Sequence, residues 1–166
     1  LKDLFDDKLR QLELFSRLGV KTPTTFVCRL DETTFVKAGD ILDGPFVVQP
    51  PVGSSGDNTY FVNDEVDFDR VKDVFRTGQR VQLSKYWPGP SLNGHCIVLS
   101  TREGLRSMAV CPSVQIVGIP GCTSRAEIYC GNDFSAAGMV SKSIREEICT
   151  IMEKVGLFMG SKGFLG

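Results

Sequence analysis

The stretch Gly44-Pro45-Phe46-Val47-Val48-Gln49-Pro50-Pro51-Val52-Gly53-Ser54-Ser55-Gly56-Asp57-Asn58 sets a short apolar run against a loop of proline, glycine and serine. Phe46 to Gln49 predicts a strand, and Tyr60-Phe61-Val62 resumes one on the far side. The glycines and serines therefore join two strands. The P-loop and the dinucleotide fingerprint carry their glycines at the opening of a helix, so neither describes this loop. A strand-to-strand loop can still hold phosphate. Glycine lets backbone N–H groups point inward, and serine hydroxyls add donors. The same composition also suits an ordinary hairpin tip, and the loop by itself leaves both readings open.

Downstream of the loop, Asp67 is placed to cap a helix carrying Phe68, Val71, Val74 and Phe75, and Arg80 to Lys85 predicts another strand. This gives a small α+β lobe over residues 44–84. Upstream, Leu4, Phe5, Leu9, Leu12, Phe15 and Leu18 share one face of a helix over residues 2–18, which Gly19 stops. Lys8 lies on that apolar face, so it must either snorkel or meet an anion. Thr25 to Leu30 predicts a strand and residues 31–43 a short helix and loop, which makes residues 1–43 an N-terminal helix and linker. After Pro88-Gly89-Pro90, a larger lobe over residues 85–166 is expected to carry an antiparallel meander. Its strands are Leu92 to Leu99, Leu105 to Val110 and Ser113 to Val117. Residues 119–135 read as loop. A helix from Ala137 to Val155 follows, with Ile144, Ile148, Ile151 and Val155 on its stripe. Residues 160–166 look like the entry to another strand.

The junction Leu83-Ser84-Lys85-Tyr86-Trp87-Pro88-Gly89-Pro90-Ser91 runs a strand end into a turn between the lobes. Exposed backbone beside aromatic rings at a lobe junction suits a flat heterocycle. An ordinary linker with a buried Trp87 is the alternative. Other classes are disfavoured. A net charge of −1 offers no basic surface for nucleic acid. No run approaches the ~20 apolar residues of a membrane span. Leu1-Lys2-Asp3 leads straight into a helix, so no secretory leader is expected. The six cysteines form no C-x-x-C pair and His95 is the only histidine, which argues against zinc and for reduced thiols in a cytoplasmic protein.

In order and spacing, three segments resemble the ATP-grasp superfamily, whose members include biotin carboxylase and D-alanine–D-alanine ligase. Asp7-Lys8 followed by Gly19-Val20 and Pro23 is similar to the family's opening motif. Gly44 to Pro50 followed by Gly53-Ser54-Ser55-Gly56 is similar to its glycine-serine loop. Ser84 to Ser91 looks like its hinge. The resemblance covers nearly the whole chain and implies an α+β ATP-grasp fold, two lobes of mostly antiparallel sheet clamping a nucleotide. Carried over by position, Lys8 would contact the ATP phosphates and residues 53–56 would close over them. Lys85 and the backbone of Tyr86 and Trp87 would meet adenine, and Ser91 falls where the family contacts ribose. Arg125 falls near where some ligases face the transferred phosphate.

The departures are specific. Gln49 stands where the family usually has a second phosphate lysine, and Ser84 and Ser91 stand where its hinge has glutamates. A neutral amide can hydrogen-bond phosphate but adds no charge to the transferring phosphoryl group. The carboxylates and amides that hold Mg2+ in the family are expected beyond Gly166, so the chain reads as a fragment, inactive alone, with no metal ligand of its own. The resemblance implies an ATP-dependent carboxylate ligase working through an acyl phosphate. Its partners would be ATP, a small-molecule carboxylate and an amine-type nucleophile, with a homodimer left open. The alternatives are an ATP-grasp kinase and a degenerate, non-catalytic nucleotide-binding or structural lobe.

Overall fold

The computed structural model describes residues 7–53, 58–120, 122, 128–160 and 163–165. The chain divides at Pro88/Gly89 into two compact units. Both are α+β, and every strand pairing is antiparallel. Among the described residues no helix is long and apolar enough to cross a membrane.

The first unit runs α1 (Lys8–Arg17), β1 (Thr25–Arg29), α2 (Phe35–Leu42), β2 (Phe46–Gln49), β3 (Tyr60–Val62), α3 (Glu65–Val74) and β4 (Arg80–Lys85). Its sheet has the order β1-β4-β2-β3. Strand side chains alternate between faces, so Phe46, Val48, Val81 and Leu83 share one face and are fully buried. Ala38 and Leu42 of α2, with Phe68 and Val71 of α3, complete that core. The Phe46 and Phe68 rings meet edge-on at 6.1 Å. Burying each such large apolar side chain stabilises the unit by about 1.5–3 kcal/mol.

Asp64, not Asp67, caps α3. Asp64 is extended (φ −145°, ψ 178°), as a capping residue must be, and its carboxylate accepts from the Asp67 N–H at 2.8 Å. Asp67 lies within the first turn, where its own carboxylate accepts from the backbone and side-chain N–H groups of Asn63. The helix ends at Val74, which is exposed. Phe75 lies beyond it and packs edge-on against Tyr60 at 5.8 Å.

The second unit runs β5 (Leu92–Thr101), β6 (Gly104–Val117), β7 (Tyr129–Asp133), a 3-10 turn (Ala136–Met139), α4 (Lys142–Met159) and β8 (Gly163–Leu165), with sheet order β7-β6-β5-β8. The two strands expected over residues 105–117 are one. Asn93 pairs with Ser113 and His95 with Val110, so two residues advance on β5 against three on β6. The irregularity falls at Cys111-Pro112, where proline has no N–H for the ladder. Strand β7 lies within the segment read as loop. Tyr-Cys-Gly-Asn-Asp has little strand propensity of its own, and pairing with β6 makes it a strand. Helix α4 starts at Lys142 rather than at Ala137, because Ser141 is extended and accepts from the Ile144 N–H as its cap. Ile144, expected on the apolar stripe, is exposed in that first turn. The strand expected near the end pairs with β5.

Candidate functional site

Three features of the first unit converge on the start of the glycine-serine loop. Asp7 caps α1, accepting from the N–H groups of Leu9 and Arg10 at 3.0 and 3.2 Å. It also bridges to Val52, and the Lys8 N–H donates to the Pro51 carbonyl at 2.9 Å. The Lys8 ammonium then donates to the Gly53 carbonyl at 2.8 Å. The ammonium of this partly buried lysine thus reaches a neutral backbone carbonyl. Gly53 has φ +149°, a conformation that glycine adopts readily and other residues rarely do. The lysine and the first loop glycine are thus brought together. Ser54, Ser55 and Gly56 lie outside the described residues.

The sheet face opposite the core carries a polar cluster beside Val27, Val47 and Phe61. Gln49 at the end of β2 pairs with Gln82 of β4, which in turn pairs with Val27 of β1. Gln49 Oε1 accepts from the Thr59 hydroxyl at 3.5 Å. Gln82 Nε2 donates to Ser84 Oγ at 3.1 Å, and the Thr25 hydroxyl donates to the same oxygen at 3.0 Å. Gln82 and Ser84 are both buried. Sequence reasoning passed over Thr25, Gln82 and Ser84 as members of one face, although the alternation Val81-Gln82-Leu83-Ser84 carries the signal.

At the hinge, Lys85 pairs with Phe46 and so shares the core's face of the sheet, not the opposite one. Its ammonium donates to Asp43 Oδ2 at 2.8 Å. That hydrogen bond, with the attraction of the lysine charge, holds the Asp43 carboxyl below its usual range. The Lys85 N–H donates to Thr24 and the Tyr86 N–H to Pro45, at 2.8 and 2.9 Å. Tyr86 stands edge-on to Phe61 at 5.3 Å, and Trp87 is half exposed rather than buried.

In the second unit, the Ser91 hydroxyl donates to Gln115 Oε1 at 2.5 Å and the Gln115 N–H returns to the Ser91 carbonyl at 2.8 Å. Beside it, Asn93 donates to Asn132 at 2.7 Å, and His95 Nε2 meets Ser113 Oγ at 2.9 Å under the Phe134 ring. Arg125 lies outside the described residues.

This architecture recurs in solved structures. D-alanyl-alanine synthetase A from Vibrio cholerae O1 biovar eltor str. N16961 superposes with a TM-score of 0.67 at 15% identity, over 95% of this chain and 48% of that one. The VanG D-Ala:D-Ser ligase from Enterococcus faecalis gives 0.67 at 17%, over 97% and 47%. An ADP complex of N5-carboxyaminoimidazole ribonucleotide synthetase gives 0.71 at 13%, over 96% and 39%. The fold is ATP-grasp. The chain spans less than half the length of each of these three ATP-grasp structures. No family model matches the sequence, and no curated protein does.

Within the ATP-grasp fold, Lys8, Gln49, Gly53, Lys85, Tyr86 and Trp87 belong to the first unit and Ser91 to the second. Magnesium takes a shell of hard oxygen ligands. Among the described residues no three or more His, Cys, Asp or Glu side chains converge.

Proposed function

We propose that this chain binds ATP as part of an ATP-dependent carboxylate ligase that works through an acyl phosphate. One observation carries the reading: the Lys8 ammonium is held on the Gly53 carbonyl at the mouth of a glycine-serine loop. A cation beside a glycine-serine sequence suits an anion, and the fold includes a neighbour solved as an ADP complex, so a nucleotide's phosphates are the anion proposed here. Lys8 and residues 53–56 would hold the phosphates, with Gln49 as a neutral donor beside them. Adenine would lie against the hinge. The Lys85 and Tyr86 N–H groups are already donated within the unit, so base recognition there falls to carbonyls of this stretch and to the Trp87 N–H. Lys85 would act through the hinge backbone, since its side chain is engaged by Asp43. Ser91, paired with Gln115, would meet the ribose, and Arg125 would face the transferred phosphate. The acid and the amine-type nucleophile that takes the acyl group are the small-molecule partners this reading requires.

A titration with Mg-ATP that follows Trp87, the only tryptophan, tests this, with GTP as control and calorimetry as cross-check. A saturable change with ATP and not with GTP is expected. Silence in both signals from the folded chain would remove the proposal for these residues. A second reading, a degenerate and non-catalytic nucleotide lobe, is favoured by Gln49, Ser84 and Ser91, which are neutral where the family carries charge. ADP release coupled to amide formation in the parent protein separates ligase from lobe. A phosphorylated product without amide would indicate the kinase.

A further inference from the structure

In the second unit, α4 and β6 flank an open pocket of about 440 Å³ whose wall carries two thiols, Cys111 of β6 and Cys149 of α4, beside Lys142 and Arg145. Cys111 is exposed and Cys149 half-buried. The Cys149 sulfur lies 4.0 Å from the Val110 carbonyl oxygen. That carbonyl carbon is bonded to the Cys111 nitrogen, so the Cys149 sulfur sits beside the backbone that carries the Cys111 side chain. The register shift of β6 against β5 falls at Cys111-Pro112, which frees this point of the strand from regular pairing. Arg145 Nε, on the same wall, is buried without a hydrogen-bond partner among the described residues. We propose that Cys111 and Cys149 form a reversible disulfide, which makes this pocket a hydroperoxide-responsive thiol site.

The step balances with a hydroperoxide as the named oxidant. The Cys111 thiolate attacks the outer peroxide oxygen, the O–O bond breaks, and an alcohol or water leaves with a proton. Cys111 becomes a sulfenic acid. The Cys149 thiolate then displaces hydroxide from that sulfur, which leaves as water, and the S–S bond forms. Two thiols lose two electrons and the hydroperoxide gains them. A thiol reductant reverses the bridge, as befits a redox-sensing pair rather than a structural disulfide. The bridge joins α4 to β6 and closes a long loop, so the oxidised chain is held more firmly than the reduced one.

The test treats the folded chain with hydrogen peroxide, alkylates it, digests it without reduction and reads it by mass spectrometry. The expected result is a Cys111–Cys149 peptide pair, loss of two of the six titratable thiols, recovery of both with dithiothreitol, and a melting temperature raised by roughly 5 °C or more. Cys149→Ser should leave a Cys111 sulfenic acid that dimedone traps, and Cys111→Ser should remove the peptide pair. Three results would overturn the proposal: Cys111 as a sulfinic acid with Cys149 alkylated, Cys111 as a mixed disulfide with added glutathione, or bridging only through other cysteines. The wild-type digest decides even if a variant fails to fold. The readout is independent of nucleotide binding.

Discussion

Lys8 and Gly53, 45 residues apart in sequence, are joined by a 2.8 Å hydrogen bond from the lysine ammonium to the glycine carbonyl. The backbone reinforces the contact, since the Lys8 N–H donates to Pro51 and Asp7 bridges to Val52. The start of α1 and the start of the loop are therefore tied together by backbone and side chain. Replacing Lys8 with methionine keeps the apolar stem and deletes the charge. A charge-assisted hydrogen bond contributes about 1.5–3 kcal/mol, so the melting temperature should fall by several degrees. If the ammonium also serves the phosphates, Mg-ATP affinity should drop about tenfold or more, which is ~1.4 kcal/mol. Calorimetry on Lys8→Met reads both quantities. A lowered melting temperature with unchanged affinity would confine Lys8 to structure.

Gly53→Ala separates conformation from contact. A Cβ at this position would stand 3.7 Å from Lys8 Nζ and 3.9 Å from the Pro50 ring, so space is available. The backbone at φ +149° is what an alanine resists, at about 1–3 kcal/mol. The expected outcome is a folded variant whose loop no longer presents its N–H groups correctly, seen as weakened Mg-ATP binding with a smaller loss in thermal stability. Wild-type affinity in this variant would mean that the loop geometry at residue 53 is not used.

Asp43 gives a pH signature. It caps α2 in the left-handed conformation at φ +55° and accepts from Lys85. Its folded-state pKa lies below the unfolded value near ~3.9, so its contribution is present above that pH and is lost as pH falls through the lowered folded value. Asparagine tolerates the same backbone. Wild type should therefore melt slightly above Asp43→Asn at neutral pH, and the two curves should converge in acid. The Asp43 side chain is exposed, so the gap should be small and should shrink in salt. A gap that persists unchanged to the lowest pH would assign the effect to something other than the Lys85 pairing.

Local periodicity makes much of the fold legible. Phe46 and Val48 alternate with Val47 and Gln49, and Phe68 and Val71 repeat at helical spacing, so β2 and α3 can be read from the residues alone. Strand β7 cannot. Tyr129 to Asp133 carries a glycine, an asparagine and an aspartate, and only its hydrogen bonds to β6 make it a strand. Helix α4 starts later than composition suggests, because Ala136 to Met139 is helical in composition but forms a 3-10 turn ahead of Ser141. Of the candidate site, the neighbourhood of Lys8 and the loop is visible as motif order, while the Lys8–Gly53 contact is not. The alternation Val81-Leu83-Lys85 places Lys85 on the core's face of β4, but its pairing with Asp43 depends on the fold around it.

Gly156 lies where α4 packs closely on β5 and β6. A Cβ there would lie 2.2 Å from Ser107 Oγ, 2.9 Å from Cys96 Sγ and 3.1 Å from Ser107 Cβ. Gly156→Ala must therefore push the helix off the sheet, at about 1–3 kcal/mol of overpacking. Thermal or denaturant unfolding should show this. Ser107→Ala in the same chain removes the nearest oxygen and should restore part of the loss, because the two sites are coupled. If the double variant is as unstable as the sum of the single ones, the helix is not seated through this contact.

Gln49 is the position at which charge decides between a working and a decayed site. It ends β2 beside Gln82, half-buried, with its Oε1 accepting from Thr59 at 3.5 Å. A lysine reaches further than glutamine and brings a positive charge to the polar cluster, where partial burial weakens solvent screening. If the ATP phosphates lie there, Gln49→Lys should raise Mg-ATP affinity about tenfold, or ~1.4 kcal/mol, and the gain should decline with ionic strength. The cost is the Thr59 hydrogen bond, about 1 kcal/mol of stability, so a slightly lower melting temperature should accompany tighter binding. Opposite movement of the two readouts is what distinguishes a restored phosphate contact from general stiffening, which would raise both. A loss of affinity would instead identify the glutamine amide as the group that the bound nucleotide uses.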